Sequence, residues 1–268
     1  SHARLFAVLD GHGESGHLVA RRCVSLLPKF MAETGCNPAR TCAALHADLA
    51  ACGVDCSCSG ATCVIAVLRG NRLTVANLGD SRCVLGRAAA GGGIAAVPLT
   101  SDHKPDRPDE RSRIVAMGGQ VGSRQLLVGT GTGGAVRVPV GPARVWYQAR
   151  GETMGLAMSR SLGDAVAHRA GVSAEPEVTE RLIDEHDRFL LLATDGVWDV
   201  LDVGQAVQIV HGCAARAAAA AAAAGGGNGG GYGGDGGEAA SMVCHTARKK
   251  WEAASAMVDD ITCCVVRL

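Results

Sequence analysis

Aromatic side chains are scarce in this 268-residue chain: Trp, Tyr and Phe together make up 3% of it, although 47% is apolar. A core of that make-up must be filled by Ala, Val, Leu, Ile and Cys. Net charge is missing too. The 26 basic residues balance 26 acidic ones, and no Lys/Arg block stands out. That argues against nucleic acid or an anionic membrane as the main partner. No apolar run approaches the length of a membrane span. Arg4 and Asp10 bracket too short an apolar stretch for a signal peptide. No internal repeat is present, and the length suits one large domain over 1–268.

Cysteine, by contrast, is plentiful, at 12 residues. Cys63, Cys83, Cys263 and Cys264 sit inside apolar runs and read as small core residues of a reducing compartment, which implies an intracellular protein, cytoplasmic or nuclear. Cys52, Cys56 and Cys58 cluster, so structural zinc or redox chemistry is conceivable. No Cys/His pair follows at zinc-site spacing, and a plain loop is the expectation.

Along the chain, apolar spacing predicts helices over 16–33 and 38–51. Residues 60–69 (GATCVIAVLR) read as a buried strand, followed by a turn at Asn71-Arg72 and strands over 72–78 and 81–86. Pro105 and Pro108 mark the start of a helix over 106–118 that ends at Gly118-Gly119. The Gly/Val/Thr-rich stretch 122–142 reads as a hairpin or variable insertion. Residues 189–193 (FLLLA) read as a strand, 204–213 as a helix, 239–256 as a helix and 261–268 as a closing strand. Between them, 214–240 is an Ala/Gly insertion. Its Ala part suits an extension of the preceding helix, whereas its Gly part cannot offset its ordering entropy.

Five Asp residues fall at strand tips or tight turns: Asp10, Asp80, Asp195, Asp259 and Asp260. Asp10 begins an Asp-Gly-His-Gly run after the apolar stretch Leu5–Leu9, bringing a carboxylate, a free carbonyl and an imidazole to one strand end. A single Asp in a turn is commonly just solvated. Several together are costly to bury without cations, and an oxygen-only set favours Mg²⁺ or Mn²⁺ over Zn²⁺.

The segments around these residues are FAVLDGHG (6–13), SGAT (59–62), ANLGDSRCVLG (76–86), SDHKPD (101–106), MGGQV (117–121), GLAMSRSLGD (155–164), EPEV (175–178), FLLLATDGVWDVL (189–201) and DDITCCVV (259–266). In that order the chain resembles the metal-dependent Ser/Thr protein phosphatases of the PPM, or type 2C, family. RVW (144–146) and GHLVAR (16–21) look more like plant and green-algal members.

The resemblance implies an α+β fold, a four-layer α-β-β-α sandwich of two mainly antiparallel sheets. It also implies hydrolysis of phosphoserine and phosphothreonine by a water bridging two Mg²⁺ or Mn²⁺ ions. Asp10 would bridge the two metals, the Gly11 carbonyl would ligate one, and Asp195 and Asp259 would complete the set. Asp80 would share a third, weaker ion with Asp195, while Asp260 is not a primary ligand. His12 would be the general acid. Arg160 and Asp164 lie next to the expected flap as structural residues, Asp164 ordering it. The implied partners are phosphoprotein substrates, met by a monomer.

The resemblance further implies an upstream Arg that grips phosphate and an acidic pair near the second metal. Neither precedes Asp10 in this sequence, so a fragment or weakly active form is the expectation. A catalytically silent scaffold on the same fold and a phosphatase of small phosphomonoesters are the rival readings. Gly122-Ser123-Arg124 stands where hormone co-receptor members carry a Trp, which disfavours that role. Trp146 and Trp198 read as packing residues.

Overall fold

The computed structural model describes residues 3–129, 134–223, 236–254 and 257–268. One four-stranded sheet has the order β1 (Ala3–Val8), β4 (Cys63–Arg69), β5 (Arg72–Leu78), β12 (Glu177–Leu182). The other runs β14 (Cys263–Arg267), β13 (Asp187–Ala193), β6 (Arg82–Ala88), β7 (Ile94–Pro98). Helices α1 (Gly16–Glu33) and α2 (Pro38–Ala51) cover the first sheet, while α6 (Val203–Ala223) and α7 (Gly236–Ala254) cover the second.

Cys63–Leu68 of β4 and Phe189–Ala193 of β13 are apolar throughout because both faces of these central strands are covered. In β4, Cys63, Ile65 and Val67 face α1 and α2, whereas Val64, Ala66 and Leu68 face the other sheet. In β13, Phe189, Leu191 and Ala193 face α6 and α7, and Leu190 and Leu192 meet the first sheet. These alternations build three apolar layers, so the architecture is the expected α-β-β-α sandwich. All main pairings are antiparallel.

Two smaller sheets sit at the margin. One pairs β2 (Gly11–His12), β3 (Gly60–Ala61) and β11 (Leu162–Gly163). The other joins β8 (Gln120–Gly129), β9 (Ala135–Ala149) and β10 (Glu152–Leu156). Helices α3 (Pro108–Ala116), α4 (Ala165–Arg169) and α5 (Asp195–Trp198) complete the described elements.

Some boundaries differ from the sequence reading. The strand foreseen over 60–69 breaks at Thr62, whose backbone N–H turns to the Asp10 carbonyl. The following turn is Gly70-Asn71, with Gly70 at φ +61°. The helix foreseen from Asp106 begins at Pro108, because a residue before proline is pushed out of helical geometry. The stretch 122–142 is a true hairpin, reaching back to Gln120 and on to Ala149. The Ala run does extend α6, to Ala223. The Gly-rich run 224–235 lies outside the described residues. Among the described residues no helix is long and apolar enough to cross a membrane.

Candidate active site

Both large sheets deliver carboxylates to the same end of the sandwich. Asp10 follows β1 and Asp80 follows β5, and these two strands run the same way because each is antiparallel to β4. Asp195 follows β13, and Asp259 precedes its antiparallel neighbour β14. The foreseen residues therefore converge from distant parts of the chain.

Each tip is fixed by local bonds. Thr62 clamps Asp10 from both sides: its N–H donates to the Asp10 carbonyl at 2.8 Å, and its Oγ1 accepts from the Asp10 N–H at 3.0 Å. The Thr62 hydroxyl rests in turn on the buried Ser81 hydroxyl, 2.7 Å away. Gly11 must lack a side chain, since a Cβ there would lie 2.2 Å from the Gly16 carbonyl oxygen. At the other pair of strands, the Thr194 hydroxyl donates to the Asp260 carbonyl at 3.1 Å. Gly196 lets that loop approach, for its Cβ would meet the same oxygen at 2.2 Å.

The carboxylates feel one another. Burial is the largest influence on Asp10; together with the charges of Asp259, Asp80 and Asp260 it pushes the carboxyl up to about 6, although a hydrogen bond with Asp195 opposes this. Burial, then Asp80, Asp10, Asp259 and Asp199, push Asp195 up to about 8. Asp80 is buried and accepts from Lys104 Nζ at 2.5 Å. Asp259 is exposed, and its Oδ1 takes the Asp260 N–H at 2.8 Å. Lys104 on Asp80, and Arg82 in the field of Asp80 and Asp199, are cations beside the centre, and its carboxylates outnumber them. The donors are all oxygens, which fits hard divalent cations.

His12 and Asp164 meet across the small sheet. In the register, both His12 and Gly163 pair with Gly60. Gly60 has no side chain to intervene; a Cβ would lie 2.1 Å from Asp164 Oδ2. His12 Nε2 consequently reaches Asp164 Oδ2 at 2.6 Å, and Ser161 Oγ donates to the same oxygen at 2.6 Å. Burial acts to lower the His12 pKa, but the hydrogen bond and charge of Asp164, aided by Asp80 and Asp10, outweigh it and raise it above the usual imidazole value. Where the motif suggested that Asp164 orders a flap, the structure puts its carboxylate on His12.

Arg160 serves a different cluster. Asp109, Glu110 and Glu177 bring carboxylate oxygens within 4.8 Å of one another, but arginines surround them. Glu110 is fully buried and accepts from Arg113 at 2.7 Å and from Arg160 at 2.7 Å. Arg107 binds Asp109 and Glu177. With its charges already matched, this group is a structural network. Removing a partner from a buried ion network leaves uncompensated charge, so Glu110→Ala is expected to cost roughly 3–5 kcal/mol of stability in urea unfolding.

Among the described residues, the Cys52, Cys56 and Cys58 sulfurs do not all lie within 4.8 Å of one another. The sequence reading missed Lys104, although it lies in the quoted SDHKPD segment, as well as the Thr62–Ser81 support and the His12–Asp164 contact. The Asp199 carboxyl near Asp195, in the TDGVWD run, was also missed.

Comparison with known proteins identifies relatives of this chain. The protein phosphatase 2C family model matches residues 1–225. The probable protein phosphatase 2C 64 of Oryza sativa subsp. japonica is 41% identical over 228 aligned positions, covering 80% of this chain and 50% of that protein. The probable protein phosphatase 2C 72 of Arabidopsis thaliana is 35% identical, covering 96% of this chain and 74% of the relative. The chain thus spans about half the length of the first relative and about three quarters of the second. Two solved structures share the fold. A serine-threonine phosphatase 2C from Toxoplasma gondii has a TM-score of 0.69 at 22% identity, covering 99% of this chain and 84% of its own. A C. elegans sex determining protein has a TM-score of 0.71 at 24% identity, covering 99% and 56% respectively. By sequence match and by fold, this chain belongs to the protein phosphatase 2C family.

Proposed function

We propose that this chain hydrolyses phosphoserine and phosphothreonine in proteins and requires Mg²⁺ or Mn²⁺ to do so. The carrying observation is the convergence of Asp10, Asp80, Asp195 and Asp259 at one end of the two sheets, where burial and mutual repulsion push the Asp10 and Asp195 carboxyls up. Such a concentration of negative charge is stable at neutral pH only with cations or extra protons present. The residues that would hold cations are Asp10, the Gly11 carbonyl, Asp195 and Asp259, with Asp80 and Asp195 sharing a weaker third. Their oxygens do not crowd into one tight group as those of Asp109, Glu110 and Glu177 do. A looser donor set suits ions that keep several waters. When bound, the cations supply charge against the phosphoryl oxygens and make water acidic enough to attack at neutral pH.

The chain's own groups do the rest. With Nε2 bonded to Asp164, the protonated ring of His12 carries its transferable proton on Nδ1, a buried nitrogen without a hydrogen-bond partner. A departing serine or threonine alkoxide needs such a proton. Asp164 orients the ring and favours its protonated form. Phosphoprotein substrates and a monomeric, intracellular setting belong to the same reading. The 12 free thiols, several in the core, support the reducing compartment.

The test is phosphate release from a phosphothreonine peptide. Release with Mn²⁺, abolished by EDTA and restored by excess Mn²⁺ or Mg²⁺, is the expected result. A folded chain that releases no phosphate under any divalent cation refutes the reading in favour of a silent scaffold.

A further inference from the structure

The β8–β9 hairpin is interrupted by a bulge. Pairing proceeds from Gln120↔Trp146 to Gly122↔Arg144 and resumes at Arg124↔Val140. Ser123 on one strand thus faces residues 141–143 on the other. Gly141 turns the chain at φ +75°, and Pro142 fixes the next backbone angle. Bulges of this kind bend a ribbon and re-aim its side chains.

A cavity of about 470 Å³ opens at the bend. Arg124 and Arg144 line it together with Val140, Pro142, Trp146 and Met154. Its walls are held in place: Arg144 Nη1 donates to the Gly155 carbonyl at 2.8 Å, and Trp146 Nε1 donates to the Gly122 carbonyl at 2.8 Å. Gly155 makes the room, since a Cβ would come within 2.6 Å of the Trp146 ring and 3.0 Å of Arg144 Cδ.

No carboxylate lines this cavity. The surrounding sequence is equally one-sided. From Arg111 to Gly151 the chain has six arginines and no Asp or Glu; Arg113 is matched by Glu110 and Arg150 by Asp55 and Glu14 from outside this stretch. Beyond the bend, the same ribbon face presents Leu126, Val128, Val136 and Val138, all exposed, as the pairs Leu126↔Val138 and Val128↔Val136. The base of the ribbon lies beside the loop that follows His12: Arg150 pairs with Glu14 at 3.8 Å, two residues after His12.

We propose that this cavity binds an acidic segment of the phosphoprotein substrate, a carboxylate side chain resting on Arg124 and Arg144 and an apolar neighbour on Val140, Pro142 and Met154. The inference deepens the hydrolytic reading above and rests on it. Charge complementarity selects the occupant: paired guanidinium groups match a carboxylate's geometry, and the adjoining walls are apolar.

The test compares two phosphothreonine peptides, identical except that one carries Glu and Leu beside the phosphosite and the other Gln and Ser. Its second arm measures fluorescence anisotropy of the Glu/Leu peptide without phosphate or metal. The wild-type chain should prefer the acidic peptide about tenfold in kcat/KM, the size of one charge-assisted contact. Arg124→Gln should erase that preference, Arg124→Glu should reverse it, and both should weaken the anisotropy signal. Equal turnover of the two peptides by wild type, or a preference that survives Arg124→Glu, overturns the inference while leaving hydrolysis intact. If wild type with Mn²⁺ cleaves neither peptide nor p-nitrophenyl phosphate, the hydrolytic reading fails instead. The anisotropy arm then decides the cavity alone, and equal affinity of wild type and Arg124→Glu for the acidic peptide overturns it.

Discussion

Asp195→Asn is expected to lower phosphate release more than about 100-fold while making the metal-free protein more stable. The loss of activity follows from replacing a central charged carboxylate with a neutral amide. Replacing groups that merely support metal ligands already costs about 10–100-fold. The gain in stability follows from linkage. In the folded chain the Asp195 carboxyl sits near pKa 8, against an ordinary value of 3.8. Between those values the folded chain binds more protons than the unfolded one, so the stability of the metal-free protein falls as pH rises through that window. The amide variant has no such proton to lose. Because Asp195 is half-buried and screened, the gain at pH 8 should be modest, on the order of 1–3 kcal/mol in urea unfolding. The two effects run in opposite directions, so loss of turnover cannot be ascribed to unfolding. A variant that is inactive and also less stable at pH 8 would mean that the carboxylate cluster is structural.

His12→Ala is expected to reduce turnover of a phosphothreonine peptide by about 10²- to 10⁴-fold, the range of a general acid. An aryl phosphate whose leaving group departs without a proton should lose far less. Equal losses on the two substrates would remove the proton-donor role. Asp164→Asn gives a milder companion result. Asp164 raises the His12 pKa, so it keeps the acid protonated to higher pH. Without that carboxylate the alkaline fall in activity should move to lower pH than in wild type. Bound cations act on His12 in both proteins, and the comparison isolates the change due to Asp164.

The sandwich was legible because its central strands are buried on both faces. Cys63–Leu68 and Phe189–Ala193 are unbroken apolar runs for that reason, and an Asp directly after or shortly before such a strand marks its tip. Asp10, Asp195 and Asp259 could therefore be picked out, along with His12 beside them. The His12–Asp164 contact could not. The residues are 152 positions apart, and the strands that join them are two residues long. No periodicity accumulates over two residues. Lys104 was hidden for a similar reason, since it reaches Asp80 from an irregular loop. The hairpin was underestimated because its exposed valines stand among glycines and prolines, which read as a loop when no partner strand is in view. The family resemblance supplied the order of the motifs; the register supplied the contacts between them.

Titration calorimetry of Mn²⁺ into the metal-free chain at pH 7, in two buffers of different ionisation heat, tests the central claim most directly. Asp195, pushed up to about 8, retains its proton at pH 7, so cation binding to its oxygens must expel it. The account predicts saturable binding whose heat depends on the buffer, lost in Asp195→Asn. Binding with no proton release, or binding that Asp195→Asn leaves unchanged, would place the cations elsewhere and contradict it.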